Sequence, residues 1–192
     1  SNSSAASDVY KRQFLACCAN SDLPLSTITP AGYVTPAAPL VSAAEEARPI
    51  DFGKIADAYR QICQVSDIVI VEGIGGVRVP LTLEFDLLDL AIELDLGVVI
   101  VSRPDLGTIN HTLMTIDCVR AAKLRILGVV INRFDATRAS VAEATAGEVI
   151  SQCSGVPLLA TVPAEEEVEP AEPNIPDMVL RCLAECDWAR LT

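Results

Sequence analysis

Basic side chains are scarce in this chain of 192 residues, because 14 lysines and arginines stand against 26 aspartates and glutamates. The formal net charge of -12 argues against non-specific binding to nucleic acid or to an anionic membrane, since both favour basic patches. His111 is the only histidine, so a Ser-His-Asp or Cys-His catalytic centre would have to use it. No apolar run approaches the roughly 20 residues that a membrane-spanning helix needs. Residues 14–19 are too short for a convincing signal-peptide core.

The seven cysteines include no C-x-x-C pair and are odd in number. Most stand in apolar surroundings, which predicts reduced, buried cysteines in a cytoplasmic protein. Cys182 and Cys186 are four residues apart on a predicted helix and could form one edge of a metal site, although no further ligands are evident. Hydrophobic residues make up 51% of the chain, enough for one compact domain with a sizeable core.

The middle of the chain, residues 67–81 (DIVIVEGIGGVRVPL), is the stretch around which the rest is organised. Residues 67–71 form a continuous β-branched run, typical of a strand covered on both faces in a parallel sheet. Glu72 would end this strand, and Gly73, Gly75 and Gly76 follow it. Ligands of open α/β sheets bind at the carboxyl ends of strands. An acid and exposed backbone N–H groups there suit a metal ion and an oxyanion. A glycine turn that only changes the chain direction is an equally good interpretation.

Strands and helices alternate through the rest of the chain, which predicts a parallel sheet with right-handed crossovers and helices on both faces. A short helix is expected at residues 14–19 and a proline-dotted loop at 26–39. The further predicted strands are 96–101, 124–132 and one within 156–162. The further predicted helices are 52–64, 86–94, 108–122, 138–153 and 175–191. Four glutamates between 165 and 169 predict a solvated acidic loop.

Four stretches of the chain resemble the dethiobiotin synthetase family, P-loop ligases of biotin synthesis. They are VEGIGGVRVPL (71–81), RPDLGTINHTLMTI (103–116), GVVINRF (128–134) and YVTPAAPLVSA (33–43), the last followed by R-P-I at 48–50. Their order and spacing fit from about residue 23 to residue 170, and the second stretch is the specific one. The E-G-x-G-G pattern alone would also suit the related cobyrinate-type amidotransferase ligases.

The resemblance implies an ATP- and Mg²⁺-dependent cytoplasmic homodimer that acts on a small diamino carboxylic acid. In that reaction 7,8-diaminononanoate takes up carbon dioxide as a carbamate, and the carbamate oxygen attacks the γ-phosphate of ATP. The mixed anhydride then closes onto the second amine and gives the cyclic urea of dethiobiotin. Phosphoryl transfer of this kind requires Mg²⁺, backbone donors and positive charge around the phosphates.

The resemblance also assigns site residues. Glu72 matches the Mg²⁺ ligand of the family, and Asn110 matches the residue that reaches the substrate carboxylate across the dimer interface. Nucleotide contacts would come from Glu72, Gly73, Ile74, Gly75, Asn132, Arg133, Pro163, Ala164 and Glu165, and substrate contacts from Gly75, Gly76 and Asn110. Without the resemblance, Asn110 and His111 would be interpreted as a polar cluster in the first turn of a helix. Asn132 could equally be an asparagine that ends a strand.

The departures from the family are as informative as the matches. The chain contains neither a G-x-x-x-x-G-K-[ST] loop, which cradles phosphates, nor the K-P motif with the catalytic lysine. Asp8 lies near the expected place of a Mg²⁺-binding aspartate, and Leu40 stands where the family often has histidine. We therefore expect residues 1–13 to be a disordered or non-native leader, and residues 14–192 to be a single α/β domain incomplete at its N-terminus.

Three hypotheses follow from these departures. The first is a dethiobiotin synthetase fragment that is inactive by itself. The second is a catalytically dead binding or interaction module derived from the family. The third is a cobyrinate-type ligase domain, which would need a glutamine-amidotransferase domain with a nucleophilic cysteine.

Overall fold

The computed structural model describes residues 3–164 and 177–186 of the chain, with the backbone alone for residues 3–10 and 177–178. The described residues up to Leu87 form one compact unit, and those from Leu88 onward form a second. The single domain expected for residues 14–192 stays a prediction, because a compact unit need not fold independently. Among the described residues, no helix is both long enough and apolar enough to cross a bilayer.

The first unit is built from helices and loops. Its helices are α1 (Ser3–Cys18), α2 (Leu25–Ile28), α3 (Pro39–Glu45) and α4 (Phe52–Cys63). Helix α4 confirms the helix predicted at residues 52–64, and Asp51 caps it by accepting a hydrogen bond from the Lys54 N–H at 2.8 Å. Residues from Ser3 onward lie in α1, and the disordered leader expected at residues 1–13 stays a prediction. The suggestion that residues 1–13 are foreign to the fold stays a prediction.

Residues 67–71 are not a strand, contrary to the prediction. Ile68 and Ile70 expose 73% and 90% of their surface, and Val71 exposes 41%. A β-branched composition favours a strand, but a strand also needs a partner for its backbone groups. Within the described residues no strand pairs with this segment. It therefore runs as an exposed apolar segment that leads into Glu72.

The second unit contains a parallel sheet in the order β1-β2-β3, with strands β1 (Val98–Ser102), β2 (Ile126–Phe134) and β3 (Leu158–Pro163). Its helices are α5 (Leu87–Glu93), α6 (Thr108–Ala121), α7 (Val141–Ser154) and α8 (Asp177–Ala184). The three strands and helices α5, α6 and α7 confirm the predictions to within a few residues. Helix α8 ends at Ala184, seven residues before the predicted end at residue 191, which lies outside the described residues. The three-stranded parallel sheet flanked by helices confirms the predicted P-loop NTPase-like α/β class. The acidic loop at 165–169 lies outside the described residues.

The core of the second unit joins two helices to one face of the sheet. Val129 and Ile131 are two residues apart on β2 and therefore share a face. Ile116 of α6 and Ile150 of α7, both completely buried, pack in the same cluster. Each such side chain contributes about 1.5–3 kcal/mol when it is fully buried. This core fixes where the strands end, and the predicted nucleotide-contacting residues of this unit lie at or just beyond the ends of β2 and β3.

Candidate functional site

The glycine turn, residues 73–76, is tightly constrained at its first and third positions. Gly75 has a φ of +76°, and a Cβ added there would lie 2.9 Å from a methyl carbon of Val79. A Cβ on Gly73 would lie 2.8 Å from a methyl carbon of Leu87. Gly76, by contrast, faces open space. The chain then forms a second turn, residues 76–79, closed by a hydrogen bond of 2.9 Å from the Val79 N–H to the Gly76 carbonyl. Glycine is therefore required at position 75 by the backbone itself.

Glu72 presents an accessible carboxylate immediately before this turn. Its side chain is 56% exposed and pairs with Lys11 at 2.7 Å between Oε1 and Nζ. An exposed pair of this kind contributes at most about 1 kcal/mol, so a competing cation can displace it. Across the described ranges, no group of three or more His, Cys, Asp or Glu side chains is placed to hold a metal ion. Mg²⁺ that is shared with phosphate oxygens needs only one or two protein carboxylates, and the accessible carboxylate of Glu72 is compatible with that requirement.

The segment after the turn is held in place by contacts that the sequence did not reveal. The Pro80 carbonyl accepts a hydrogen bond from the Leu40 N–H at 3.3 Å, and the Val79 carbonyl accepts one from the Leu87 N–H at 3.3 Å. Arg78 pairs with the largely buried Asp86 at 3.0 Å. The opposite charges of R-V-P and F-D-L, eight residues apart, were the available signal. They would have suggested a hairpin-like return of the chain.

The second unit brings the predicted nucleotide contacts together at one edge of its sheet. Asn132 and Arg133 lie near the end of β2, and Pro163 ends β3. The Ala164 N–H donates to the Phe134 carbonyl at 3.0 Å, which joins the two strand ends. Glu165 lies outside the described residues. The carboxyl edge of a parallel sheet is where α/β proteins bind ligands, so this arrangement suits the predicted role without testing it.

Asn132 is already oriented by its neighbour. Its Oδ1 accepts a hydrogen bond of 2.9 Å from the Arg133 N–H, and Arg133 has a φ of +63°. A non-glycine residue with positive φ is uncommon, and asparagine or aspartate neighbours often support such turns through backbone hydrogen bonds. The side-chain amide of Asn132 keeps its donor hydrogens and one oxygen lone pair for a ligand. The strand-ending and the ligand-binding interpretations are therefore both compatible with this geometry.

Asn110 and His111 are exposed in the first turn of α6. The Asn110 side-chain nitrogen donates to the Met114 sulfur at 3.5 Å, which is a weak bond that a carboxylate could replace. Just beyond them, the hydroxyls of Ser102 and Thr112 lie 2.7 Å apart and are buried. This pair ties the end of β1 to α6. It therefore fixes where Asn110 is presented.

The cysteines are less buried than predicted. Cys186 is buried, whereas four cysteines at or near helix ends or on helix surfaces are exposed: Cys17, Cys18, Cys63 and Cys153. The apolar neighbours in sequence do not cover these thiols, because helical neighbours point in different directions. Cys182 and Cys186 donate their thiols to the carbonyls of Thr161 and Leu159 at 3.0 and 3.1 Å. Burial raises the pKa of the Cys186 thiol. These two cysteines thus attach α8 and the residues just after it to β3, and among the described residues they belong to no cluster of metal-binding side chains.

Comparison with known proteins identifies the family. A family model described as an AAA domain matches residues 3–172. An ATP-dependent dethiobiotin synthetase BioD from Aromatoleum aromaticum is 37% identical over 158 residues, covering 82% of this chain and 69% of that protein. The protein of the same name from Bacillus licheniformis is 36% identical over 154 residues, covering 79% and 65%. A third from Anaeromyxobacter sp. is 42% identical over 110 residues, covering 57% and 49%.

The chain thus spans between about half and about two thirds of the lengths of these relatives. The match to the relative from Aromatoleum aromaticum covers more than two thirds of both proteins. The motifs that resemble this family contain Glu72 and the glycine turn after it. They also contain the R-P-D-L-G-T-I-N-H segment, which leads into the first turn of α6. The chain belongs to the ATP-dependent dethiobiotin synthetase family.

Proposed function

We propose that this chain carries part of the active site of an ATP- and Mg²⁺-dependent ligase that closes the ureido ring of dethiobiotin. The observation that carries the proposal is the 37% identity over 158 residues to a dethiobiotin synthetase. It is supported by an accessible carboxylate before a constrained glycine turn in the first unit. It is also supported by the amide side chain of Asn132, which lies at the carboxyl edge of the sheet in the second unit.

The proposed reaction begins with 7,8-diaminononanoate and carbon dioxide, which form a carbamate on one amine. The carbamate oxygen attacks the γ-phosphate of ATP and releases ADP. The second amine then attacks the carbonyl carbon and expels inorganic phosphate, which completes the cyclic urea. The demand on the protein is positioning of the reactants and stabilisation of phosphate charge.

Glu72 is the residue that we assign to Mg²⁺. Bound Mg²⁺ would neutralise the negative charge that develops on the phosphate oxygens. Glu72 would hold it through one carboxylate, in competition with Lys11. The glycine turn would offer backbone N–H groups to the phosphates or to the substrate, because no side chains obstruct the approach at 73, 75 and 76.

The remaining contacts are assigned to the second unit. The Asn132 amide would recognise the adenine edge, supported by Arg133, Pro163, Ala164 and Glu165. The enzyme would be a cytoplasmic homodimer. In it, Asn110 would give up its weak bond to Met114 and would bond the carboxylate of the substrate that is bound in the partner subunit. This exchange would be favourable because a charge-assisted hydrogen bond is roughly twice as strong as a neutral one.

The 192 residues contain no G-x-x-x-x-G-K-[ST] motif and no lysine followed by proline. The backbone cradle and the lysines that the family uses on the phosphates are therefore not among them. We infer that the chain by itself does not form dethiobiotin. This inference is separable from the family assignment, and the experiment below tests the two independently.

A chimera tests the function directly. Residues 1–13 are replaced by the part of the Bacillus licheniformis relative that lies before its match to residue 14 of this chain. The chimera is then expressed in a biotin-requiring bacterium that lacks its own dethiobiotin synthetase. We expect the chimera to support growth without biotin and the chain alone to fail. The chimera with Glu72→Gln should also fail, because the amide has no charge for Mg²⁺, whereas Glu45→Gln should support growth as a matched control.

Purified proteins resolve the alternatives. Dethiobiotin produced by the chain alone, measured by mass spectrometry, would refute the inferred inactivity. A folded chimera that forms no dethiobiotin from diaminononanoate, bicarbonate and Mg-ATP would refute the ligase assignment. In that case, binding of diaminononanoate without turnover would favour the binding module. Amidation of cobyrinate with free ammonia as the nitrogen donor would favour the third hypothesis, because the chimera contains no glutamine-amidotransferase domain.

A further inference from the structure

We propose that Glu46 is a positioning residue for the glycine turn that presents Glu72. It fixes the proline loop, defined as residues 32–37, and through this loop and α3 it holds the segment that follows the turn. The inference rests on the proposed function, because it takes Glu72 as the carboxylate to be positioned. All of the contacts involved lie within the first unit.

The carboxylate of Glu46 organises two separate parts of the chain. Its Oε1 accepts hydrogen bonds from the Val34 N–H at 2.6 Å and the Thr35 N–H at 2.8 Å. Its Oε2 pairs with Arg48 at 2.9 Å. The hydrogen bond from the Thr35 N–H is the main reason that the pKa of Glu46 is lowered from its ordinary value, and the Arg48 bond lowers it further. Glu46 is therefore a charged acceptor at neutral pH, and hydrogen bonds to charged acceptors are the stronger ones.

Neighbouring side chains reinforce the same loop. Ser42, which is almost completely buried, donates from its hydroxyl to the carbonyls of Thr35 and Ala37, 2.9 and 3.2 Å away. Arg48 donates to the carbonyl of Gly32 and stacks over the ring of Tyr33, 4.6 Å from its centroid. The proline loop thus has hydrogen bonds along its length.

A short path of contacts connects this loop to the glycine turn. The loop leads directly into α3, where Pro39 is buried at the first helical position. The next residue, Leu40, donates its N–H to the Pro80 carbonyl at 3.3 Å. Pro80 directly follows Val79, whose N–H closes the second turn on the Gly76 carbonyl. Movement of the proline loop would therefore shift the start of α3 and weaken the bond that restrains the end of the turn.

Hydrogen exchange of the 192-residue chain, measured by mass spectrometry without ATP or metal, tests the proposal. Glu46→Ala should raise exchange on the order of tenfold in residues 33–37 and also at the amides of Val79 and Leu81, which are hydrogen-bonded in the structure. Glu46→Gln keeps an oxygen acceptor and should restore most of the protection. Glu45→Ala changes the adjacent exposed residue, which is the last of α3, and should affect exchange in neither segment.

Two further results decide between a positioning role and a merely structural one. In Glu46→Ala, faster exchange at 33–37 with no change at 79–81 would overturn the proposal. An equal rise in exchange in β2 would also overturn it, because that rise would report general destabilisation.

Leu40→Pro removes the N–H that donates to Pro80 within the first helical turn, where proline is tolerated. It should raise exchange at 79–81 and leave 33–37 unchanged, and it remains informative if Glu46→Ala does not fold. Because no turnover is measured, failure of this proposal is distinct from failure of the ligase assignment.

Discussion

Gly75→Ala is the substitution whose cost the structure defines most directly. At a φ of +76°, an alanine costs about 1–2 kcal/mol relative to the right-handed region. The new Cβ would also lie 2.9 Å from Val79, a stiff β-branched side chain, and displacing it would cost on the order of 0.5–1.5 kcal/mol. Reduced freedom of the unfolded chain returns about 0.4–1 kcal/mol. We therefore expect a net loss of roughly 0.5–3 kcal/mol in the free energy of unfolding.

Gly76→Ala is the matched control for this substitution. No atom lies within 4 Å of an added Cβ at this position, and its backbone is outside the left-handed region. We expect no loss, and a gain of up to about 1 kcal/mol from the unfolded state. The two variants differ by one position in the same turn and by nothing in composition.

Urea unfolding followed by circular dichroism measures both variants. For a chain of this length, each kcal/mol also corresponds to about 2–4 °C in the melting temperature. Gly75→Ala should therefore melt roughly 1–12 °C lower than the parent chain, and Gly76→Ala should not. Equal stabilities of the two variants would refute the argument, because they would mean that the left-handed backbone at position 75 is not maintained in solution.

Three further predictions concern the exposed segment and the second unit. We expect the chain to self-associate through its exposed apolar segment at residues 67–71, and Ile70→Lys should weaken this association in sedimentation velocity experiments, because Ile70 is 90% exposed. Ser140→Ala should cost about 1 kcal/mol in urea unfolding, since Ser140 and Glu143 form a capping box at the start of α7. Ser102→Ala should cost about 1–3 kcal/mol, because it leaves the buried Thr112 hydroxyl without its partner.

Each of these predictions has its own control. Leu106→Lys changes an equally exposed leucine outside the apolar run and should leave self-association unchanged. An equal effect of Leu106→Lys and Ile70→Lys would contradict the claim that the apolar run causes the association.

Hydrogen bonds from Ser140 lower the pKa of Glu143, so their stabilisation is present above the ordinary pKa of glutamate and is lost as the pH falls. Ser140→Ala should therefore remove part of the acid sensitivity. Combining Ser102→Ala with Thr112→Val should cost less than the sum of the single variants, and strict additivity would refute the coupling.

The elements of the second unit were predictable because their signals are local. The β-branched runs that became β1 and β2, and the Ser140 to Glu143 spacing at the start of α7, can be read within a few residues. The motif that begins at Arg103 likewise placed Asn110 in the first turn of α6. These features follow from periodicity and capping chemistry, which depend on neighbours in the chain.

Pairing and long-range contacts were decided only in the tertiary structure. Residues 67–71 have the composition of a strand, but strand formation depends on a partner backbone that a local pattern cannot supply. The bond from Leu40 to Pro80 joins residues 40 positions apart, and the bonds from Glu46 to the proline loop span 11 and 12 positions. The sequence by itself determined the family, the alternation of strands and helices, and the residues with suitable chemistry. The tertiary structure decided which backbone groups are paired and how the glycine turn is held, because both depend on groups that are distant in the chain.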